Sequence, residues 1–160
     1  MNLSRKIADA VDALPIEAVM PSLVEAEVGP CRIALNLSAR GPVGLAFDGL
    51  DYHRTGLPEL STEALRAWGN RLAARLTYLM EPLVVLEVDA QAGEAELRSQ
   101  DPTSRGDRRS YYEVRLQNKG SLHLRRVAYD EQARRRQTVP CQMTLEVLDR
   151  LVDDLVVSLT

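Results

Sequence analysis

The chain has 160 residues, of which 45% are hydrophobic and 27% charged, with a net charge of −3. Those values exclude global disorder and fit one folded domain spanning residues 1–160, large enough to need no metal or disulfide staple. No stretch approaches the 18 or so apolar residues of a membrane span, and the start, Met1 to Lys6, lacks the apolar run of a secretory leader. Cys31 and Cys141 sit in no metal-ligand or redox spacing. The expectation is a cytoplasmic protein with two reduced thiols.

The first element is a helix over Asn2 to Leu14, with Leu3, Ile7, Val11 and Leu14 on one face and Pro15 ending it. A stretch dense in proline and glycine follows. It holds three short apolar runs, Ser22–Val28, Arg32–Ser38 and Val43–Asp48. Ile33, Leu35 and Leu37 alternate with Ala34 and Asn36, and Gly41-Pro42 marks a turn. These read as an antiparallel meander of three strands.

A second helix starts at Ser61 or Thr62, with Glu63 favourably placed in its first turn. Leu65, Trp68, Leu72, Leu76 and Leu79 form its apolar stripe, and Pro82 closes it. Strands are expected at Leu83–Asp89 and Glu94–Ser99, separated by the turn signal Gln91-Ala92-Gly93. Gln100–Arg109 is polar and aperiodic, and reads as a mobile surface loop.

Ser110–Gln117 and Ser121–Tyr129 read as a hairpin around Asn118-Lys119-Gly120, where Gly120 can take the left-handed conformation. Opposing Gln117 to Ser121 puts Val114 across from Leu124 and Leu116 across from Leu122 on the core side. Glu113 then faces Arg125, and Arg115 faces His123, on the other side. This register also brings Arg126 to a core position. A β-bulge near Arg125–Arg126 is expected to restore the alternation.

A third helix runs from about Thr144 to Leu159, with Leu145, Leu148, Leu151, Val152, Leu155, Val156 and Leu159 on its apolar face. Asp153 and Asp154 approach its C-terminus, where the helix dipole disfavours anions, and Arg134–Arg136 are the candidate partners. The fold class is therefore α+β. About seven antiparallel strands join three helices in the order α-β-β-β-α-β-β-β-β-α, with no internal repeat.

Charge is unevenly spread. Arg98 to Arg136 holds 11 basic residues against 5 acids, a net of +6, while the rest of the chain holds 9 against 18, a net of −9. Nearly all the cations are arginine, which suits forked contacts with carboxylate or phosphate. Arg105, Arg108, Arg109, Tyr111, Arg115, Arg125, Arg134, Arg135 and Arg136 are the candidate residues for an anionic partner. A protein with an acidic surface is the first expectation, and a solvated charged face is the plain alternative. Single-stranded nucleic acid on the Tyr111, Arg115 and Arg125 face is another, because arginines interleaved with an aromatic suit that ligand.

No phosphate loop, dinucleotide fingerprint, nucleophile elbow or zinc-protease helix is present, and no motif calls for a cofactor. The one polar constellation is Asp48, Asp51 and His53. It would suit a metal or a general base in a small hydrolase, or it is simply turn chemistry after the third strand. The sequence therefore leans away from an enzyme and towards a protein-binding or adaptor module, with the broad face of the last helix compatible with a homodimer. The element order of helix, three strands, helix, further strands and helix resembles that of the type III secretion chaperones. That resemblance implies a small acidic dimer that holds a segment of a partner protein.

Overall fold

The computed structural model describes residues 2–160. Helix α1 (Leu3–Asp12) starts where the Asn2 side chain accepts from the Arg5 amide at 2.9 Å. At its other end the Arg40 guanidinium donates to the carbonyls of Val11 and Leu14. Strands β1 (Ser22–Val28), β2 (Cys31–Arg40) and β3 (Gly44–Arg54) form the meander expected from the alternation. The third strand runs six residues past Asp48, because Leu50 and Tyr52 continue the core-facing parity.

Helix α2 (Thr62–Arg75) is capped by the Ser61 hydroxyl, which accepts from the Ala64 amide at 3.1 Å. A 3-10 turn, Thr77–Leu79, carries the chain to β4 (Leu83–Asp89) and β5 (Glu94–Ser99). Then come β6 (Thr103–Arg105), β7 (Arg108–Gln117), β8 (Ser121–Asp130), β9 (Arg135–Val139) and β10 (Cys141–Thr144). Helix α3 (Leu145–Ser158) ends the fold, with Thr144 as its N-cap. No described helix is long and apolar enough to cross a membrane.

All pairings are antiparallel. The main path is β1-β2-β3-β8-β7-β5-β4, and the three short strands hang off it. β3 and β8 pair only over Leu50–His53 and Ser121–Leu124, then diverge. β9 fills the fork against β8, and β10 fills it against β3. Pro140, which has no amide proton to give a ladder, separates the two.

The helices pack on one face of the sheet, along β1–β5, β7 and β10. Ile33, Leu35, Leu50, Trp68, Leu72, Leu97, Val114, Leu116, Leu148 and Leu151 lie fully buried between the layers. The Trp68 indole donates to the Ser158 hydroxyl at 3.0 Å, tying α2 to α3.

Four sequence expectations need correction. The segment Gln100–Arg109 is not a loop throughout: Thr103–Arg105 pairs with Arg108–Ser110 across a tight turn in which Gly106 has φ +58°. Arg135 and Arg136 do not follow the last strand but begin β9. No bulge lies between β7 and β8, whose ladder runs unbroken from Arg108–Asp130 to Gln117–Ser121. Arg126 keeps its core-side position because a buried acid, Glu81, neutralises it at 2.7 Å. Asp154 is partnered by Arg75 at 3.2 Å and by the Tyr78 hydroxyl at 2.7 Å, not by Arg134–Arg136.

Candidate anionic-partner face

The hairpin β7–β8 carries the basic stretch, and its register divides the side chains cleanly. Tyr112, Val114 and Leu116 face the helices together with Leu122, Leu124 and Arg126. Arg109, Tyr111, Glu113 and Arg115 face the other way, where no helix lies, together with His123, Arg125, Val127 and Tyr129.

Beyond the point where β3 leaves β8, the sheet continues as a four-stranded flap, β6-β7-β8-β9. Its outer strands are bare on both faces. Every residue from 101 to 109 and from 131 to 138 is exposed. Strands without a buried face contribute little hydrophobic stabilisation of their own.

A polar network at the base secures the flap instead. Glu81 accepts from Ser99 Oγ and Thr103 Oγ1, each at 2.6 Å, and from Arg126 Nη2 at 2.7 Å. The Ser99 hydroxyl in turn accepts from the Tyr112 amide at 2.8 Å. Burial alone would raise the Glu81 pKa. The hydrogen bonds from Arg126, Ser99 and Thr103 outweigh burial and hold it below its ordinary 4.5. Arg126 also lies over the Tyr112 ring, 4.5 Å from its centroid.

The nine residues expected to meet an anionic partner fall into four settings. Tyr111, Arg125 and Arg136 gather on the open face around Glu113, together with Arg98 from β5. Glu113 is 4% exposed and accepts from Arg125 at 2.8 Å and Arg136 at 2.9 Å. Burial pushes its pKa up, but the surrounding guanidiniums prevail and set it below 4.5. The Tyr111 ring is covered by Arg98 and Arg136, at 5.2 and 5.9 Å from its centroid. At 9% exposure the ring is not a free platform for a stacked base.

Arg109 is paired with Glu131 at 3.0 Å. Arg115 lies in a small recess with Glu87, Asp89, Glu94 and Glu96. The remaining four, Arg105, Arg108, Arg134 and Arg135, are exposed at the flap tip and form no ion pair among the described residues.

Three of these four stand in one cross-strand row. Arg105 is directly opposite Arg108, Arg108 is opposite Asp130, and Asp130 is opposite Arg135. Like charges directly opposite each other destabilise a sheet. The one acid in the row is engaged elsewhere: Asp130 Oδ1 accepts from the amides of Gln132 and Ala133 at 3.0 and 3.2 Å, closing the β8–β9 turn. Arg134, in that turn, has φ +51°, a conformation unfavourable for a side chain of its size.

Asp48, Asp51 and His53 lie within β3 and not on a turn. They do not converge. His53 Nδ1 is 2.8 Å from the Ser121 hydroxyl, while Asp51 meets Nδ1 of His123 at 2.7 Å. Among the described residues, no group of three or more His, Cys, Asp or Glu side chains is gathered to hold a metal ion. Both cysteines are buried and unpaired.

Sequence reasoning left Arg98 and Glu81 out of the site. Arg98 joins it only because β5 pairs with β7 and sets Arg98 opposite Glu113, a neighbour relation that needs the strand order. No family model, curated protein or solved structure matches this chain.

Proposed function

We propose that the protein is a non-catalytic binding module that engages an acidic segment of a partner protein on its arginine-bearing flap. One observation carries the reading. Arg105 and Arg108 stand directly opposite each other at the exposed flap tip, Arg135 lies beyond Asp130 in the same row, and among the described residues no carboxylate is within ion-pair distance of the three. Holding cations side by side is unfavourable in the isolated chain, and an anionic partner relieves it. Arginine forks suit carboxylates better than lysine would.

Among the described residues no carboxylate lies within ion-pair distance of His53, and Asp51 pairs with His123 instead, so Asp48, Asp51 and His53 do not come together as the catalytic alternative needs. The covered Tyr111 ring weakens the nucleic-acid alternative, which relied on Tyr111 as the stacking residue. The element order keeps the proposal close to the chaperone-like reading, in which a small acidic protein holds a segment of another.

Fluorescence anisotropy with a labelled poly-glutamate peptide tests it. Saturable binding that weakens with salt and is lost in the triple variant R105E/R108E/R135E is expected. Absence of binding, or equal binding by the triple variant, overturns the proposal. Tighter binding of a single-stranded oligonucleotide at the same salt overturns it in favour of nucleic acid.

A further inference from the structure

Arg98, Arg125 and Arg136 come from three strands, β5, β8 and β9, and converge on one carboxylate. Arg125 reaches Glu113 Oε1 at 2.8 Å, Arg136 reaches Oε2 at 2.9 Å, and Arg98 lies 3.9 Å from that same oxygen. The inner end of this clasp is buried and the outer end is open. The Glu113 side chain is 5% exposed, against 34, 34 and 48% for Arg98, Arg125 and Arg136.

Each arginine makes its hydrogen bond or ion pair through Nη2 alone. The Nη1 groups of all three meet no protein acceptor among the described residues. Arg98 Nε is buried and has no partner. Among the described residues, Glu113 and, at the rim, Glu96 (3.2 Å from Arg98) are the only acids within ion-pair distance of the three arginines, so a positive excess remains.

We propose that this clasp receives one phosphoryl group, carried on a phosphorylated side chain of the partner protein. The inference rests on the protein-binding reading above and gives that partner its chemistry. A carboxylate has two oxygens, and those of Glu113 already take one Nη2 donor each from Arg125 and Arg136 on the buried side. A phosphomonoester has three terminal oxygens and close to two charges, which suits three guanidiniums with unfilled donors. Gathering like charges is the main obstacle to such a receptor, and here Glu113 and the Tyr111 ring hold the three guanidiniums together before any ligand arrives. A phosphodiester strand brings a single charge per phosphate and would need a base-stacking surface that the covered Tyr111 does not offer.

The test is an NMR titration that follows the Arg98 Nε–H resonance. The probes are inorganic phosphate, then a neutral peptide with one phosphoserine beside its serine and glutamate counterparts, then a single-stranded oligonucleotide. Saturable shifts of Arg98 with inorganic phosphate are expected. The phosphopeptide should bind at least about tenfold more tightly than the glutamate peptide. The variants R98K, R125K and R136K keep the charge but lose the fork. Each should weaken phosphopeptide binding several-fold more than it weakens poly-glutamate binding at the flap tip, a difference that a general loss of stability would not produce.

Equal affinity for the three peptides, unsaturable shifts, or tighter binding of the oligonucleotide overturns the proposal. Inorganic phosphate probes the clasp alone. Poly-glutamate binding without a phosphate response removes the clasp and leaves the binding module. A phosphate response without poly-glutamate binding removes the flap-tip reading and leaves the clasp as an anion site.

Discussion

The guanidinium of Arg126 lies 2.7 Å from the carboxylate of Glu81, a partner 45 residues earlier in the chain. The pair is little exposed, 16% for the arginine side chain and 6% for the glutamate. Removing one member of such a pair strands the other charge, at a cost of about 3–5 kcal/mol. Glu81→Ala should therefore lower stability by that order and loosen the flap, because Ser99 and Thr103 lose their acceptor at the same time. Urea unfolding measures the first effect. Hydrogen exchange at the β7 and β8 amides beyond Tyr111 and Val127 measures the second.

Stability should also depend on acid in a defined direction. Glu81 and Glu113 both have folded pKa values below 4.5. Their contribution is fully present above that value and is lost as pH falls through the depressed folded pKa. The urea midpoint should be flat between about pH 6 and pH 8 with respect to these groups and fall below about pH 4.5. The double variant E81Q/E113Q, though less stable at neutral pH, should show a shallower acid slope.

Gly120 sits in the β7–β8 turn with φ +89°, and a Cβ there would meet the Arg54 carbonyl oxygen at 2.6 Å. Gly120→Ala combines a strained backbone with a collision, at a turn whose Gly120 carbonyl accepts from the Arg54 amide at 3.0 Å. A loss of about 1–3 kcal/mol is expected, read as a shift in the urea midpoint without a change in slope.

The thiol of Cys141 is fully buried, and burial pushes its pKa up to about 12 against a smaller opposing pull from Arg126. The thiolate is the reactive form, so iodoacetamide at pH 7.5 should leave Cys141 unmodified in the native protein and label it on unfolding. Peptide mass spectrometry distinguishes the two. Rapid native labelling would place β10 and the fork it fills in a more open state than the packing implies.

The hairpin register was legible because it rests on local chemistry. Asn118-Lys119-Gly120 fixes the turn, and Val114, Leu116, Leu122 and Leu124 alternate on one side of it. The caps at Ser61 and Thr144 were legible for the same reason. What failed were inferences that needed a distant partner. Arg126 at a core position suggested a bulge, since nothing nearby in the chain announces that Glu81 will neutralise it. Strand β6 has no apolar alternation, because its pairing is backbone hydrogen bonding on a flap without a core. The candidate face was legible as a charge excess. Its division into a paired clasp and an unpaired tip depends on β5, β7, β8 and β9 lying side by side, an order that composition does not encode.

The most direct test of the flap as a docking surface is a map of backbone amide shifts during titration with poly-glutamate. The account predicts saturable shifts concentrated in residues 103–109 and 130–136, with the α1, α2 and β1 amides unmoved. Shifts centred on the helices or on β1, or none that saturate, would contradict it.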